Sequence, residues 1–312
     1  MISKITVVIP MYNREAYIAD TITSILRQSS EDFHIIILDD ASIDHSCDIV
    51  KSFKDKRITL IEFDKHIGHA GIHNIGNSMV KSPYTSIMDS DDIMPPYRLG
   101  LQYKYMTEHP EIDILGGGYQ CFGHASGLRL PLAITSAQIQ LSLLFRSTLV
   151  HGTALFRTSL LQDTGVAYHE NYLGSEDWAL WVDLIGKANM HNLNASLLKY
   201  RVGEQSLTVQ INNNRELRKS RRSIHYQIQR QAIRNLNIHL SQNDEELFLN
   251  YFSLDYTDPF PEIDRQRILG ILGTMQNQAE KEHHDTAHFF RSFSLHRMQL
   301  LDQMRTAQLE DG

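Results

Sequence analysis

Short apolar runs alternate with helical patterns over the first hundred residues of the chain. Four such runs predict strands, at 5–9, 33–38, 57–63 and 84–88. Three segments between them repeat apolar residues at helical spacing, at 15–27, 43–54 and 69–80. Asn13 is a candidate N-cap of the first helix, and Ser42 or Asp44 of the second. The alternation predicts right-handed βαβ units, and therefore an α/β fold with a mostly parallel sheet flanked by helices.

Residues 110–212 mix strand and helix patterns. Two further strands are predicted, at 112–123 and 151–156. Three further helices are predicted, at 136–144, 158–165 and 174–188. From about residue 213 the strand signals disappear, and helical patterning runs to the C-terminus with a break at 253–264. The sequence thus predicts a catalytic-type domain at 1–212 and a helical C-terminal subdomain at 213–312.

Composition narrows the class of protein. The chain has 312 residues, 42% of them hydrophobic and 21% charged, as in soluble globular proteins with one large domain or one domain and a smaller one. A net charge of −7 argues against general nucleic-acid binding. Two cysteines, Cys47 and Cys121, provide no disulfide framework. The N-terminal apolar run is too short for a signal peptide, and no apolar stretch has the roughly 20 residues of a membrane span. These features predict a cytoplasmic protein.

Polar clusters follow three of the predicted strands. They are "MYN" after Pro10, which is expected to end the first strand, "DDASID" from Asp39, and "DSDD" from Asp89. Ligands of parallel sheets bind outside the carboxyl ends of the strands, so we expect the three loops to border one crevice.

The "DSDD" cluster has no nearby basic residue to neutralise it. Asp89 and Asp91 are two residues apart at a strand end, so both carboxylates can point to one side. Paired carboxylates suit Mg²⁺ or Mn²⁺, and Mg²⁺ fills its other positions with substrate phosphates. The alternative is an acidic turn in which Asp92 caps the next segment.

The two earlier loops suggest recognition of a nucleobase. A carboxylate at Asp40 can accept a hydrogen bond from a base N–H or a ribose hydroxyl, and Tyr12 offers an aromatic face. Ordinary helix capping explains part of the "DDASID" loop, but not two consecutive acids at a strand end.

Four ordered blocks resemble the family 2 glycosyltransferases of the GT-A fold. They are "VVIPMYN", "LDDASID", "HIGHAGIHNIGNSMVKSPYTSIMDSDD" and "HGTALFRTSLL…TG…SEDWALWVDLI", and they extend over about residues 3–210. The resemblance implies an inverting enzyme that moves a hexosyl or N-acetylhexosaminyl group from a nucleotide-diphosphate donor to an acceptor hydroxyl. It further implies a UDP-sugar donor, and a role in making cell-surface polysaccharide or glycolipid.

The resemblance also assigns residues to roles. Tyr12 and Asp40 match the positions that bind the base, Asp89 the acid near the ribose, Asp91 the metal ligand and Asp177 the catalytic base, with Glu176 beside it. The full predicted donor site comprises Pro10, Tyr12, Asn13, Asp40, His73, Asp89 and Ser90.

The chemistry of the reaction suits these roles. A divalent cation on Asp91 would stabilise the departing diphosphate, and a carboxylate must take the proton of the acceptor hydroxyl. For Asp177, the neighbouring charge of Glu176 and burial beside Trp178 favour the protonated form, whereas a helix N-terminus favours the ionised form. The sequence leaves the balance open.

The chain departs from the family pattern at three positions. His66 stands where relatives often have Asn, His73 where they often have Arg, and Gly203 where a His often follows "YR". The change at Gly203 supports a competing hypothesis, that of a non-catalytic protein that binds nucleotide sugars or acts as a scaffold.

His66, His69 and His73 lie close together in the sequence. A zinc site is one interpretation, but no cysteine is near, and contacts to the diphosphate or plain capping and packing are favoured. His151 is a candidate for the acceptor side.

The C-terminal region begins with a basic helical segment. Residues 215–234 carry seven Lys or Arg, and Ile224, Ile228 and Ile233 lie along one side. This pattern fits peripheral contact with an anionic membrane near a lipid-linked acceptor, but packing on the catalytic domain is the favoured alternative. The last segment, with Phe290, Phe293, Leu301 and Met304, packs internally or forms a homodimer.

Overall fold

A computed structural model describes residues 2–203, 211, 214–252, 262–282 and 286–310. Within these ranges the side chains of residues 282 and 304–310 are not described. Most of the predicted break at 253–264, up to residue 261, therefore lies outside the described residues. The Met304 side chain, for which packing was predicted, lies outside them too.

The described residues contain eight strands in one mixed sheet. They are β1 (Ile5–Met11), β2 (Phe33–Asp39), β3 (Ile58–Glu62), β4 (Tyr84–Ile87), β5 (Ile114–Gly123), β6 (Gly127–Arg129), β7 (Leu155–Arg157) and β8 (Met190–Val202). The order is β3-β2-β1-β4-β7-β5-β6, and β8 pairs with β5. The first four strands are parallel, and β7 is antiparallel to both β4 and β5. The predicted mostly parallel sheet is confirmed.

Helices cover both faces of this sheet. Seven belong to the first part of the chain: α1 (Ile18–Leu26), α2 (Ser46–Ser52), α3 (His69–Met79), α4 (Arg98–Glu108), α5 (Ser136–Ser142), α6 (Ser159–Thr164) and α7 (Glu176–Asp183). The described residues after 213 contain four more: α8 (Arg215–Asn235), α9 (Gln242–Phe252), α10 (Glu262–Glu282) and α11 (Ala287–Glu310). Along β1, Val7 and Ile9 face one buried core and Val8 faces the other, so alternate residues serve opposite layers.

Several local predictions were wrong. Asn13 does not cap α1, which begins only at Ile18, because its side chain binds the neighbouring loop instead. Pro10 does not end β1, which continues to Met11. Residues 151–156 are not one strand, since His151–Thr153 form a 3-10 turn before β7. The helix α4 and the strand β8 were not predicted, because both interleave polar with apolar residues.

The C-terminal helices share a hydrophobic core with the first part of the chain. The ring of Phe145, just after α5, lies 4.9 Å from Phe252 and 5.8 Å from both Phe290 and Phe293. The rings of Trp178 in α7 and His225 in α8 are 5.1 Å apart. Buried side chains are therefore continuous across the predicted boundary near residue 212.

The apolar side of the basic helix α8 faces protein. Ile224, Ile228 and Ile233 are buried, and α8 packs against α7. This is the packed arrangement that the sequence favoured, and it leaves these isoleucines unable to enter a membrane. No helix among the described residues is long and apolar enough to cross a bilayer.

Candidate active site

The loops after β1, β2 and β4 converge at the carboxyl end of the sheet. The first loop is held to the second by Asn13, whose side-chain oxygen accepts from the Ile43 amide at 2.9 Å. Its backbone has a φ of 51°, a left-handed conformation that Asn tolerates. Asn13 therefore orients the loop that carries Tyr12, while Pro10 lies inside the sheet beside Leu38.

Asp40 anchors the segment that leads into α3. Its two carboxylate oxygens accept from the amides of Ile67 at 2.6 Å and Gly68 at 3.0 Å, and His66 Nδ1 lies 3.0 Å from Oδ2. Asp40 is 3% exposed, whereas Tyr12 is 42% exposed, with its ring 4.6 Å from that of His66. The pair of aromatic rings thus lies at the mouth of the crevice above a buried carboxylate.

The aspartates after β4 lie in different surroundings. Asp92 is fully buried and accepts from the Arg201 amide at 2.7 Å; burial and the charge of Asp89 raise its pKa to about 9. Burial also raises the pKa of Asp89, against the positive charges of His69, Arg14 and Arg98. Burial therefore favours the protonated form of Asp92, whose visible role is structural.

Asp91 is the aspartate best placed to meet a cation. Its side chain is 24% exposed, and Arg14 Nε lies 3.7 Å from its Oδ2. Burial and the charge of Asp89 raise its pKa, as expected where negative charge is incompletely neutralised. No group of three or more His, Cys, Asp or Glu within the described ranges forms a complete metal site. The donor set therefore fits a cation that takes most of its ligands from elsewhere, such as a diphosphate.

Arg98 lies buried beneath the aspartates after β4. It was not predicted as a site residue. It is fully buried, donates to the carbonyl oxygens of Gly152 at 2.6 Å and Ile87 at 3.0 Å, and its charge favours the ionised forms of Asp89 and Asp92. Burial lowers its own pKa to about 9. No sequence signal marks it, because a lone Arg in α4 has the pattern of an ordinary surface residue.

Glu176 and Asp177 begin α7 and differ in exposure. Glu176 is 5% exposed, its pKa is raised by burial, and its Oε1 lies 4.0 Å from His69 Nδ1. Asp177 is partly exposed. Of the two acids, Asp177 is therefore the one with access to solvent and ligands, as the predicted role of base requires.

The histidines of α3 and the 3-10 turn form a cluster below this point. His73 is fully buried, and neither of its ring nitrogens has a hydrogen-bond partner among the described residues. Burial lowers its pKa well below the usual value. Its ring stacks 4.9 Å from Tyr168, whose hydroxyl lies 2.8 Å from His151 Nε2. In this conformation His73 has no exposed surface with which to contact a phosphate, whereas His69, 40% exposed, does.

Two further predicted positions have plain surroundings. Ser90 is buried within the acidic loop. Gly203 follows β8, and a Cβ atom built there would meet no atom of the described residues within 4 Å.

One segment, residues 66–69, connects the parts of the crevice. Its amides bind Asp40, its first ring packs against Tyr12, and its last residue reaches Glu176. The charge of that last residue, His69, also acts on Asp89. The predicted base-binding, acidic and catalytic groups are therefore brought together around one stretch of backbone.

Comparison with known protein families and structures identifies the family and the fold of the chain. The family model described as glycosyl transferase family 2 matches residues 6–165. An uncharacterized glycosyltransferase of Methanocaldococcus jannaschii is 30% identical over 207 residues, which cover 64% of this chain and 70% of that protein. Two other curated relatives are longer, and the matches span 30% and 33% of their lengths.

Solved structures with the same fold include two with bound nucleotide sugars. S. aureus TarS 1–349 in complex with UDP-GlcNAc has a TM-score of 0.62 at 16% identity, covering 96% of this chain and 90% of that one. The mannosyltransferase PcManGT of Pyrobaculum calidifontis, in complex with GDP-Man and Mn²⁺, has a TM-score of 0.58 at 16% identity, covering 99% and 85%. These likenesses confirm the GT-A fold.

Proposed function

The chain belongs to glycosyl transferase family 2, and we propose on that premise that it transfers a sugar from a UDP-sugar to an acceptor hydroxyl with inversion. The observation that carries the proposal is the bridge formed by residues 66–69. It joins Asp40 at one end to Glu176 at the other, with Asp89 nearby. A donor lying along this segment would have its base near Tyr12 and its sugar near α7.

The donor base is the part that Tyr12 and Asp40 recognise. The ring of Tyr12 is exposed for stacking, and each Asp40 oxygen keeps lone pairs beyond the amide bonds it already accepts. Because Asp40 is already fixed by two amides, binding a base N–H would require little rearrangement. Asp89 and Ser90 would face the ribose.

A divalent cation, Mn²⁺ or Mg²⁺, would be held by Asp91 together with the donor diphosphate. When bound, it would supply Lewis-acid stabilisation of the departing diphosphate. Arg14, 3.7 Å from Asp91, adds a second positive charge on the same side. The exposed His69 is better placed than the buried His73 to donate to a phosphate oxygen.

Asp177 is the proposed base for the acceptor hydroxyl. Proton removal from the face of the sugar opposite the diphosphate gives inversion at the reacting carbon. Glu176, which is buried, is near enough to His69 to fix the start of α7 relative to the start of α3. Asp177 would thus approach the acceptor from a rigid helix rather than a loop.

The acceptor is proposed to be a growing surface polysaccharide or glycolipid, handled in the cytoplasm or at the inner face of the membrane. Hexosyl and N-acetylhexosaminyl groups are both compatible with the site. Contact with a membrane, and dimer formation, would have to use surfaces other than the buried isoleucines of α8.

UDP release with a panel of UDP-sugars and Mn²⁺ tests the proposal. We expect slow donor hydrolysis by the parent, and at least a 100-fold loss in Asp177→Asn, because its amide cannot accept the proton. Asp91→Ala should abolish metal-dependent UDP binding, measured by calorimetry with and without Mn²⁺. Unchanged UDP affinity with and without Mn²⁺ would refute the role of Asp91.

The alternative is a binding protein that kept the fold, for which Gly203 in place of the family histidine is the supporting observation. It predicts UDP binding without turnover of any donor, even by hydrolysis. The variant Gly203→His is a useful companion, since it restores the residue of the family pattern.

A further inference from the structure

Arg201, the next-to-last residue of β8, reaches from the sheet to the acidic loop, residues 89–92. Its backbone amide donates to Asp92 Oδ1 at 2.7 Å, and its side-chain Nε donates to the backbone carbonyl oxygen of Asp91 at 2.7 Å. The second bond joins residues 110 positions apart in the sequence. One arginine therefore holds two consecutive residues of the loop, and one of these is the proposed metal ligand.

Two aromatic rings fix the guanidinium of Arg201 in this position. Its central carbon lies 4.8 Å from the ring centre of Tyr17, just before α1, and 4.6 Å from that of Phe122 in β5. Arginine stacks on aromatic faces, and a guanidinium held between two rings has little freedom to turn. Nη2 lies 3.4 Å from Asp20, whose side chain is 66% exposed, so this ion pair contributes little. The stacking and the bond to Asp91 are thus the contacts that define the position of Arg201.

The acidic loop depends on contacts of this kind from outside. Its own backbone provides one long bond, from the amide of Asp92 to the carbonyl oxygen of Asp89 at 3.5 Å. Thr21 Oγ1 donates to the carbonyl oxygen of Asp92 at 2.8 Å. Within the described ranges, no residue other than Arg201 hydrogen-bonds to the backbone of Asp91. The Arg201 side chain therefore sets the position of that backbone.

We propose that Arg201 is a positioning residue, which holds Asp91 in place for the divalent cation through its stacked guanidinium. This inference rests on the proposed function, in which Asp91 and the donor diphosphate share the cation. Groups that orient a metal ligand without touching the metal matter for affinity, and their loss typically lowers it by about 10–100-fold. The role needs an N–H donor at a fixed place rather than a positive charge alone, so a lysine would not fill it.

The variant Arg201→Lys keeps the charge and removes the Nε donor, so it tests the role by binding rather than by turnover. Calorimetric titration of UDP at a series of Mn²⁺ concentrations gives the Mn²⁺ requirement, the concentration at which UDP binding is half-maximal. We expect this requirement to rise about 10-fold or more in the variant. UDP affinity without metal should stay as in the parent, because Tyr12 and Asp40 are unchanged.

A second variant keeps Arg201 and loosens it. Phe122→Leu removes one of the two stacking rings, and it should raise the Mn²⁺ requirement by a smaller factor than Arg201→Lys. If Arg201→Lys does not fold, Phe122→Leu replaces it in every comparison. An unchanged Mn²⁺ requirement in Phe122→Leu would then count against the stacked guanidinium as the source of the effect.

Two exposed neighbours provide matched controls. Lys199→Gln removes a positive charge two residues away on β8, and Asp20→Asn removes the exposed partner of Nη2. Both should keep the Mn²⁺ requirement of the parent, because neither side chain contacts the backbone of Asp91. A rise in either control as large as that in Arg201→Lys would assign the effect to surface charge and overturn the proposal.

Hydrogen–deuterium exchange of the metal-free protein gives an independent readout. The peptide that contains residues 88–94 should exchange faster in Arg201→Lys than in the parent or Lys199→Gln, because the loop loses an anchor. Unchanged exchange, or an unchanged Mn²⁺ requirement despite faster exchange, would overturn the role of Arg201 alone. A parent without any Mn²⁺-dependent UDP binding would instead refute the metal role of Asp91 in the proposed function, and the role of Arg201 with it.

Discussion

Asp40 and its neighbour Asp39 show how two adjacent acids come to have different uses. Both are 3% exposed. Asp40 accepts two amide hydrogen bonds from the segment before α3, whereas Asp39 accepts one, from Ser42, and its other oxygen has no partner among the described residues. The carboxylate with the full set of bonds is therefore the one that fixes the geometry of the crevice.

Replacing each acid by its amide separates these uses. Asp40→Asn turns one acceptor into a donor facing an amide N–H, so we expect a loss of about 1–3 kcal/mol in the free energy of unfolding, together with weaker UDP binding. Asp39→Asn, the matched control, keeps its bond to Ser42 and should cost less. Urea unfolding and UDP calorimetry measure both effects. Equal losses of stability would contradict the anchoring role of Asp40.

His151 makes the stability of the protein depend on pH. Burial lowers its pKa to about 4, so between pH 6.5 and 4 the unfolded chain binds a proton that the folded protein does not. The contribution of neutral His151 to the free energy of unfolding is complete above pH 6.5. It is lost as the pH falls, and the loss is about 2 kcal/mol at pH 5. His73 and His225, whose pKa values burial also lowers, act in the same direction.

The substitution His151→Gln isolates this contribution, because the amide can still bind the Tyr168 hydroxyl. From pH 7 to pH 5 the variant should lose about 2 kcal/mol less of its free energy of unfolding than the parent. Denaturant unfolding at the two pH values gives the comparison. The same loss in both proteins would mean that His151 binds protons equally in the folded and the unfolded state.

At the scale of elements, α3 must approach the sheet closely for its first residues to reach the crevice. A Cβ atom at Gly76 would lie 2.7 Å from Val8 Cγ1 and 2.9 Å from Leu38 Cδ1. A side chain there would push α3 away from β1 and β2. Gly76, which lowers the helix propensity of this segment, thus permits the close contact between α3 and the sheet.

Two glycine-to-alanine variants test this with opposite expected signs. Gly76→Ala should destabilise the protein by about 1–3 kcal/mol because of overpacking. Gly270→Ala, in an exposed position of α10 with nothing within 4 Å of its Cβ, should stabilise it by about 0.5–1 kcal/mol through helix propensity. Thermal unfolding measures both, and a stabilising Gly76→Ala would show that α3 does not pack as closely as described.

At the scale of the whole molecule, the catalytic part and the C-terminal helices share one core. The sequence boundary near residue 212 marks a change of pattern, yet Phe145 and Trp178 on one side pack against rings on the other. Apolar surface of this extent, left uncovered on a separate domain, would be exposed to water.

We therefore expect one cooperative unfolding transition rather than two. Fluorescence of Trp178 and Trp181, both in α7, should follow the same curve as far-UV circular dichroism, which is dominated by helices. Phe145→Ala should shift both curves together, because it lowers the free energy of unfolding by about 3–5 kcal/mol. A separate second transition for either probe would instead support two independent units divided near residue 212.

The sequence by itself determined the order of the first strands and helices and the position of the polar loops. These depend on local periodicity and on the rule that parallel strands present ligands at their carboxyl ends. It also predicted roles for Asp89, Asp91 and Asp177, since their blocks resemble a known family in order and spacing.

Only the tertiary structure decided which of these residues are exposed, and what lies beneath them. Burial separates Glu176 from Asp177 and raises the pKa of Asp92, and it hides His73 while His69 stays accessible. The fold also places the buried Arg98 under the aspartates, where it donates to the carbonyl oxygens of Gly152 and Ile87. Sequence patterns report local spacing, whereas proton affinity and uncompensated charge depend on every group that surrounds a side chain in space.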